Sequence, residues 1–225
     1  GFPGGITGEK LAKQMETHLF SHSLHYSCES VEKILNHKDK IKIVQTELGH
    51  KYKTKNIVLA VGLVPKKFQN KATRTFLGRG ISYCAKGDGK SYTEKEIVVL
   101  GGGNCACYAA EYLSTFVKRV YLVHRFDDLK AVTSLKNRIL NNTRITVMWS
   151  SEITEIFGID KIEKIKIVNT INQQYTWLDS NAIFVYLGRT PPQDIKKWEV
   201  RLDENEYIIT DEYMRTNISG IYAVG

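Results

Sequence analysis

Four apolar residues, Ile97-Val98-Val99-Leu100, run directly into Gly101-Gly102-Gly103 and then into Asn104-Cys105-Ala106, the start of a helical pattern. A short buried strand, a glycine turn and a helix start form the entry to a βαβ unit, and Gly101-x-Gly103-x-x-Ala106 matches the dinucleotide-binding spacing. Gly101 permits the tight turn, Gly103 lets backbone approach a pyrophosphate, and Ala106 is small enough for the helix to pack on the sheet. Asn104 opens that helix, whose free amides and partial positive charge suit phosphate. A glycine turn needs no ligand by itself; the βαβ setting is what favours the nucleotide reading.

The remaining chain repeats the same alternation, which predicts an α/β fold. Thr7 is placed to cap a helix running through Glu16 towards Leu19 and Phe20. Strands are expected at Ile41–Val44, at Asn56–Ala60 before Val61-Gly62, at Ile97–Leu100 and at Val120–Val123. A helix is expected from Asn104 to about Phe116 and another around Val132–Leu140. Further strands are expected at Ile145–Met148, Ile165–Val168, Ala182–Tyr186, Tyr207–Thr210 and Ile221–Gly225. Lys66 to Thr73 reads as a surface connection, and Gly188-Arg189-Thr190-Pro191-Pro192 breaks the chain sharply.

At 225 residues and 42% hydrophobic the chain is long enough for one large or two small domains. No apolar run approaches the roughly 18–20 residues of a membrane span, and the start Gly1-Phe2-Pro3-Gly4-Gly5 lacks the regions of a signal peptide, so a cytoplasmic protein is expected. The four cysteines, Cys28, Cys84, Cys105 and Cys107, make no disulfide scaffold and have no zinc spacing, so no metal is expected. The net charge of +8 is spread through segments such as Lys38-Asp39-Lys40 and Lys161-Ile162-Glu163-Lys164. Such interleaving marks solvated faces, and with no stacking aromatic motif or basic helix it argues against nucleic acid. A basic surface would also steer an acidic redox partner.

Two segments flank the glycine loop in sequence and bear on chemistry. Where an NAD site usually carries an acid about 20 residues after the glycines, this chain has His124-Arg125, with Lys130 as a further donor, which suits the 2′-phosphate of NADP. Asp127 and Asp128 weaken that field, so a plain solvated turn is the alternative. Upstream stands Ser82-Tyr83-Cys84-Ala85-Lys86-Gly87-Asp88-Gly89, where a cysteine at position 87 would have completed Cys-x-x-Cys. Cys105 and Cys107, two apart on a helix, point to different faces and read as small, buried or half-buried packing residues.

Phe2 to Gly8, Gly78-Arg79-Gly80-Ile81-Ser82-Tyr83-Cys84-Ala85, Gly101 to Ala106, His124-Arg125 and Thr216 to Gly225 fall in one order, and the chain thereby resembles the low-molecular-weight thioredoxin reductases throughout its length. The resemblance implies a flavoprotein of two Rossmann-like doubly wound domains, with the NADP domain (69–187) inserted in an FAD domain made of 1–68 and 188–225. It implies hydride transfer from NADPH to FAD and on to a disulfide, FAD and NADP as cofactors, a thioredoxin-like or other redox protein as partner, and a homodimer. Val61, Gly62, Gly188 and Gly225 then join Gly101, Gly103, Asn104, Ala106, His124, Arg125 and Lys130 as cofactor-binding positions. Cys84 and Asp88 become the catalytic candidates, Asp88 as proton donor. The family's N-terminal FAD fingerprint has no counterpart here, so an incomplete chain that binds FAD poorly is expected.

Two departures matter. The family's Cys-Ala-Thr-Cys-Asp-Gly is here Cys84-Ala85-Lys86-Gly87-Asp88-Gly89, and its His-Arg-Arg-x-x-x-Arg is His124-Arg125-Phe126-Asp127-Asp128-Leu129-Lys130. The first removes one sulfur; the second replaces guanidinium forks by fewer and simpler charges. The competing readings are an NAD(P)H-dependent reductase of ferredoxin, flavodoxin or small acceptors without the disulfide step, and a non-catalytic nucleotide-binding paralogue.

Overall fold

A computed structural model describes residues 2–36 and 41–225; the Lys38-Asp39-Lys40 alternation and Gly1 lie outside the described residues. In chain order the elements are α1 (Gly8–Phe20), β1 (Val31–Asn36), β2 (Lys42–Thr46), β3 (Lys51–Thr54), β4 (Ile57–Leu59), β5 (Val64–Pro65), α2 (Thr73–Phe76), β6 (Ile81–Ser82), α3 (Ala85–Asp88) and β7 (Glu96–Leu100). They continue with α4 (Asn104–Ser114), β8 (Arg119–Val123), α5 (Thr133–Leu140), β9 (Ile145–Met148), β10 (Ser151–Phe157), β11 (Lys164–Asn169), β12 (Tyr175–Asp179), β13 (Ile183–Val185), β14 (Arg189–Thr190) and β15 (Ile221–Ala223). The chain divides into two units, one of Gly1–Ala60, Asp194–Arg201 and Ile208–Val224, the other essentially Val61–Gln193 with Leu202–Tyr207.

The larger unit is built on a parallel sheet of order β6-β13-β7-β8-β9. Its central strand β7 reads as an unbroken apolar run because both its faces are covered. Ile97 and Val99 point into a core shared with α4 and α5, including Ala106, Leu113, Leu122, Leu135 and Ile139. Val98 and Leu100 point the other way, onto Ile153, Ile165, Ile167 and Leu178 of the antiparallel layer β10-β11-β12. Ile97, Val98 and Val99 are completely buried, and each such side chain stabilises the fold by roughly 1.5–3 kcal/mol. The antiparallel layer interrupts the parallel series, and β13 then returns between β6 and β7. Two-residue β5 and β14 pair antiparallel at the Gly188–Pro192 break, where Lys66 N donates to Gly188 O at 3.0 Å.

In the smaller unit β1-β2-β3 is an antiparallel sheet, and β15 pairs parallel with β4 through Ile221–Ile57, Tyr222–Val58 and Ala223–Leu59. The helix expected after Thr7 is present, and Thr7 Oγ1 accepts from Lys10 N at 3.2 Å. No side chain of α1 is buried.

One expected strand is absent. Tyr207–Thr210 forms none: Asp203 Oδ1 takes the amides of Asn205 and Tyr207 at 2.8 Å each and turns the chain, and the backbone pairing that follows, Asp203 N to Tyr207 O at 2.8 Å and Ile209 N to Arg201 O at 2.9 Å, stops at a single bridge. The helix expected to reach Phe116 ends at Ser114 and tightens into a last turn, with Phe116 N and Val117 N both bonded to Leu113 O. In Lys161–Lys164 the apolar Ile162 is fully buried while Lys161 and Lys164 are exposed, the solvated-face arrangement expected of interleaved charge. Among the described residues no helix is long and apolar enough to cross a membrane.

Candidate functional site

The glycine loop sits at the carboxyl end of β7, the edge of a parallel sheet that receives nucleotides in doubly wound folds. Gly101 has φ +137°, a conformation side chains rarely adopt, and a Cβ there would lie 2.3 Å from Tyr186 O and 3.2 Å from Ala106 Cβ. Its amide donates to Val123 O at 3.0 Å, so the turn is locked between the ends of β7, β8 and β13. Gly103 differs: its φ is ordinary and its Cβ position is nearly open, with Lys130 O the nearest atom at 4.0 Å. Gly103 is therefore the open face of the loop. No side chain caps α4, and its first turn carries no acid, so its amino end is free to meet an anion. Asn104 Oδ1 is occupied, accepting from Val132 N at 2.9 Å, and so ties the loop to the segment before α5.

The basic stretch after β8 is arranged differently from what its sequence implies. His124 is buried, and its ring lies against Gly102, where a Cβ would come within 2.5 Å of it. Its Nε2 stands 3.1 Å from Asp128 O. Burial holds its pKa below the usual histidine value of 6.5, with Arg125 and Lys130 acting in the same direction. The imidazole thus props the glycine turn as a neutral ring and offers no free cation. Arg125 and Lys130 are exposed and share one neighbour: the guanidinium carbon lies 4.7 Å and the ammonium 4.5 Å from the centroid of the Phe126 ring. Phe126 thereby gathers two cations beside the glycine loop, since Gly103 bridges Lys130 directly. The acids are partly drawn off: Asp128 pairs with Lys136.

The cysteine segment begins at the end of β6. Cys84 caps the short α3, its Sγ accepting from Gly87 N at 3.3 Å, and is exposed. Ser82 Oγ donates to Asp88 Oδ2 at 2.6 Å and accepts from Cys84 N at 2.9 Å, holding the carboxylate on the same turn as the thiol. Ala85 N donates to Tyr186 Oη at 2.9 Å across 101 residues of sequence. Tyr186 has no sequence signal for its role, because it meets Ala85 only once β6 and β13 align; the bonds of Ser82 are local, to residues two and six further along the chain. Cys107 is a buried packing residue whose thiol is pushed up to about 11 by burial and by Glu111. Cys105 does not share that place: it is exposed on the first turn of α4, because a two-residue step turns it away from the core face.

The remaining candidates lie at strand ends. Gly188 has φ +95° just after β13, with open space at its Cβ position. Val61 and Gly62 follow β4, Gly62 with φ +63°, and Gly225, with φ +125°, follows β15, the parallel partner of β4. Among the described residues no group of three or more His, Cys, Asp or Glu is placed to hold a metal ion.

With this geometry in view, comparison with known proteins is direct. Residues 7–225 match the pyridine nucleotide-disulphide oxidoreductase family. A thioredoxin reductase of Peptoclostridium acidaminophilum is 34% identical over 236 aligned residues, which span all of this chain and 73% of that protein. A 34.2 kDa protein in the rubredoxin operon of Clostridium pasteurianum is 35% identical, also over all of this chain and 73% of its own length. Among solved structures, thioredoxin reductase from Lactococcus lactis superposes with a TM-score of 0.92 at 33% identity, covering 100% of this chain and 75% of that one. The thioredoxin reductase of T. acidophilum gives 0.88 at 26% identity, over 98% of this chain and 72% of its own. A glycine loop of dinucleotide-binding spacing after β7, a thiol after β6 of the same sheet and similarity along the whole chain converge, and the chain belongs to the pyridine nucleotide-disulphide oxidoreductase family as a thioredoxin reductase-like flavoprotein oxidoreductase.

Proposed function

We propose that the larger unit receives NADPH on the Gly101–Ala106 loop and that the protein passes its hydride by way of FAD to a disulfide. The observation that carries the nucleotide half is the loop itself: Gly101 locked against Tyr186 O, Gly103 open, and the uncapped start of α4 beside both. Gly103 backbone and the first amides of α4 would take the pyrophosphate, with Asn104 and Ala106 shaping the turn. Arg125 and Lys130, gathered by Phe126, would take the 2′-phosphate, Arg125 by a bidentate fork and Lys130 as a point charge. His124 acts beneath the loop as a support. Gly188, after β13, would border the nicotinamide half.

FAD, when bound, supplies a two-electron relay between nicotinamide and disulfide. Val61, Gly62 and Gly225 follow the paired parallel strands β4 and β15 and are the residues of this chain that would border it. Cys84 is the exposed thiol available for exchange, and Asp88, held by Ser82, is the acid available to protonate a leaving thiolate. We further propose an FAD domain from 1–68 and 188–225 around an NADP domain at 69–187, and a soluble cytoplasmic homodimer acting on a thioredoxin-like partner.

The test is NADPH consumption by the flavin-loaded protein with thioredoxin, flavodoxin or ferredoxin as acceptor. Turnover with thioredoxin and little with the other two is the expected result. Turnover only with flavodoxin or ferredoxin would overturn the disulfide step, and no turnover with any acceptor would overturn the oxidoreductase reading.

A further inference from the structure

Gly87 leaves Cys84 without a second sulfur in its own turn, yet the fold brings another exposed thiol to the same tyrosine. Tyr186 Oη accepts from Ala85 N at 2.9 Å, one residue after Cys84. The other end of Tyr186, its carbonyl, closes on the glycine turn, where the Cβ position of Gly101 lies 2.3 Å from Tyr186 O and 3.2 Å from Ala106 Cβ. Ala106 is one residue after Cys105. Tyr186 thus meets the run Cys84-Ala85 through its hydroxyl and, through its carbonyl, the glycine turn that leads into Cys105-Ala106. Beyond them the chains continue side by side: a Cβ on Gly89 would meet Leu113 Cδ2 of α4 at 2.6 Å and the Phe116 ring at 3.3 Å. Both thiols are exposed, and the charge of each raises the pKa of the Tyr186 phenol after the larger effect of burial. The other two cysteines differ: Cys107 is buried, and Cys28 is in the smaller unit.

We propose that Cys84 and Cys105 form the redox dithiol of this chain, Cys105 acting as the resolving thiol that position 87 does not supply. The proposal rests on the disulfide-reducing part of the function above. Cys84 Sγ attacks one sulfur of an external disulfide; that S–S bond breaks, a mixed disulfide forms on Cys84, and the first thiolate leaves and takes a proton. Cys105 Sγ then attacks the Cys84 sulfur, the mixed disulfide breaks, the Cys84–Cys105 bond forms, and the second thiolate leaves and is protonated. The two protein thiols give up two protons and two electrons; the external disulfide is the oxidant and becomes two thiols. Two electrons and two protons would restore the pair, which FAD, when bound, would relay from NADPH.

The experiment treats the full chain with excess glutathione disulfide, quenches with acid and maps the peptides without reduction. A Cys84–Cys105 cross-linked peptide is expected, with two of the four free thiols lost and no glutathione retained on Cys84. Cys105→Ser should convert the product into a stable glutathione adduct on Cys84, and Cys28→Ser and Cys107→Ser should leave the cross-link in place. Stable adducts on Cys84 and Cys105 of the unaltered chain without a cross-link, or a cross-link that involves Cys28 instead, would overturn the proposal. So would a Cys84 that stays unmodified. The map is read without nucleotide or flavin, so its failure is separate from any failure of NADPH turnover.

Discussion

Restoring a thiol at position 87 is the sharpest perturbation the structure allows. A Cβ built on Gly87 lies 3.8 Å from Cys84 Cβ and 3.1 Å from Cys84 Sγ, and disulfides have Cβ separations of about 3.5–4.5 Å with a mean near 3.8 Å. Gly87 is not among the glycines with positive φ, so its backbone accepts a side chain. Gly87→Cys should therefore close a bond to Cys84 with little movement. The closed loop is short, four residues from Cys84 to Gly87; the chain-entropy relation for that length gives about 6 cal/mol/K, or about 2 kcal/mol at 25 °C. For a chain of this size that corresponds to a rise of about 4–8 °C in the unfolding midpoint of the oxidised over the reduced form. Thiol titration and non-reducing peptide maps after treatment with oxidised dithiothreitol measure the bond, and paired thermal unfolding measures its effect. The same variant should draw the cross-link away from Cys105, because the nearer thiol intercepts Cys84. A new thiol that stays free under this oxidant, or an oxidised form no more stable than the reduced one, would refute the geometric reasoning.

The glycines of the nucleotide loop should separate cleanly. Gly101→Ala drives a Cβ to 2.3 Å from Tyr186 O at φ +137° and should cost at least about 1–3 kcal/mol of stability from backbone strain alone, read by urea unfolding. Gly103→Ala meets nothing closer than 4.0 Å, so it should stay within about 0.5 kcal/mol of the unaltered chain while losing NADPH affinity in a titration; equal stability losses at both positions would be wrong for this loop. His124 gives a pH signature. Its folded pKa lies below 6.5 because the ring is buried, so the unfolded chain takes up the proton first, and the stability it contributes is full above pH 6.5 and lost as pH falls below it. His124→Gln should flatten the fall in urea midpoint from about pH 7 to pH 5; identical slopes for both proteins would contradict the buried neutral ring.

Much of the parallel unit is legible in the sequence because its inner strands β7 and β8 are covered on both faces and show as apolar runs, Ile97–Leu100 and Val120–Val123; the edge strand β9, with Thr146 exposed, is still read from Ile145, Val147 and Met148. Strands with one wet face are harder to read. Lys51-Tyr52-Lys53-Thr54 and Tyr175-Thr176-Trp177-Leu178-Asp179 become β3 and β12, although their charges and hydroxyls make them resemble loops. Tyr207–Thr210 fails in the opposite sense, because Asp203 turns the chain where the side-chain pattern alone suggests a strand. At the site, the glycine spacing and the missing sulfur at Gly87 are visible in one dimension. The burial of His124 under Gly102, the gathering of Arg125 and Lys130 on Phe126, and the bond from Ala85 to Tyr186 are not. The first and last depend on two strand ends meeting, and the second on how one short loop after β8 curls back on Phe126.

The claim that the Gly101 loop and the Phe126-gathered cations form an NADPH site is tested most directly by dissociation constants for NADPH and NADH, measured by calorimetry with the unaltered chain and with Arg125→Ala. Arg125 is exposed and props no part of the core, so the variant should fold normally. NADPH should bind more tightly than NADH, and Arg125→Ala should cost about tenfold for NADPH, the loss of one charge-assisted phosphate contact of about 1.4 kcal/mol, with little change for NADH. Equal affinities for the two nucleotides, or an equal loss for both on substitution, would contradict it.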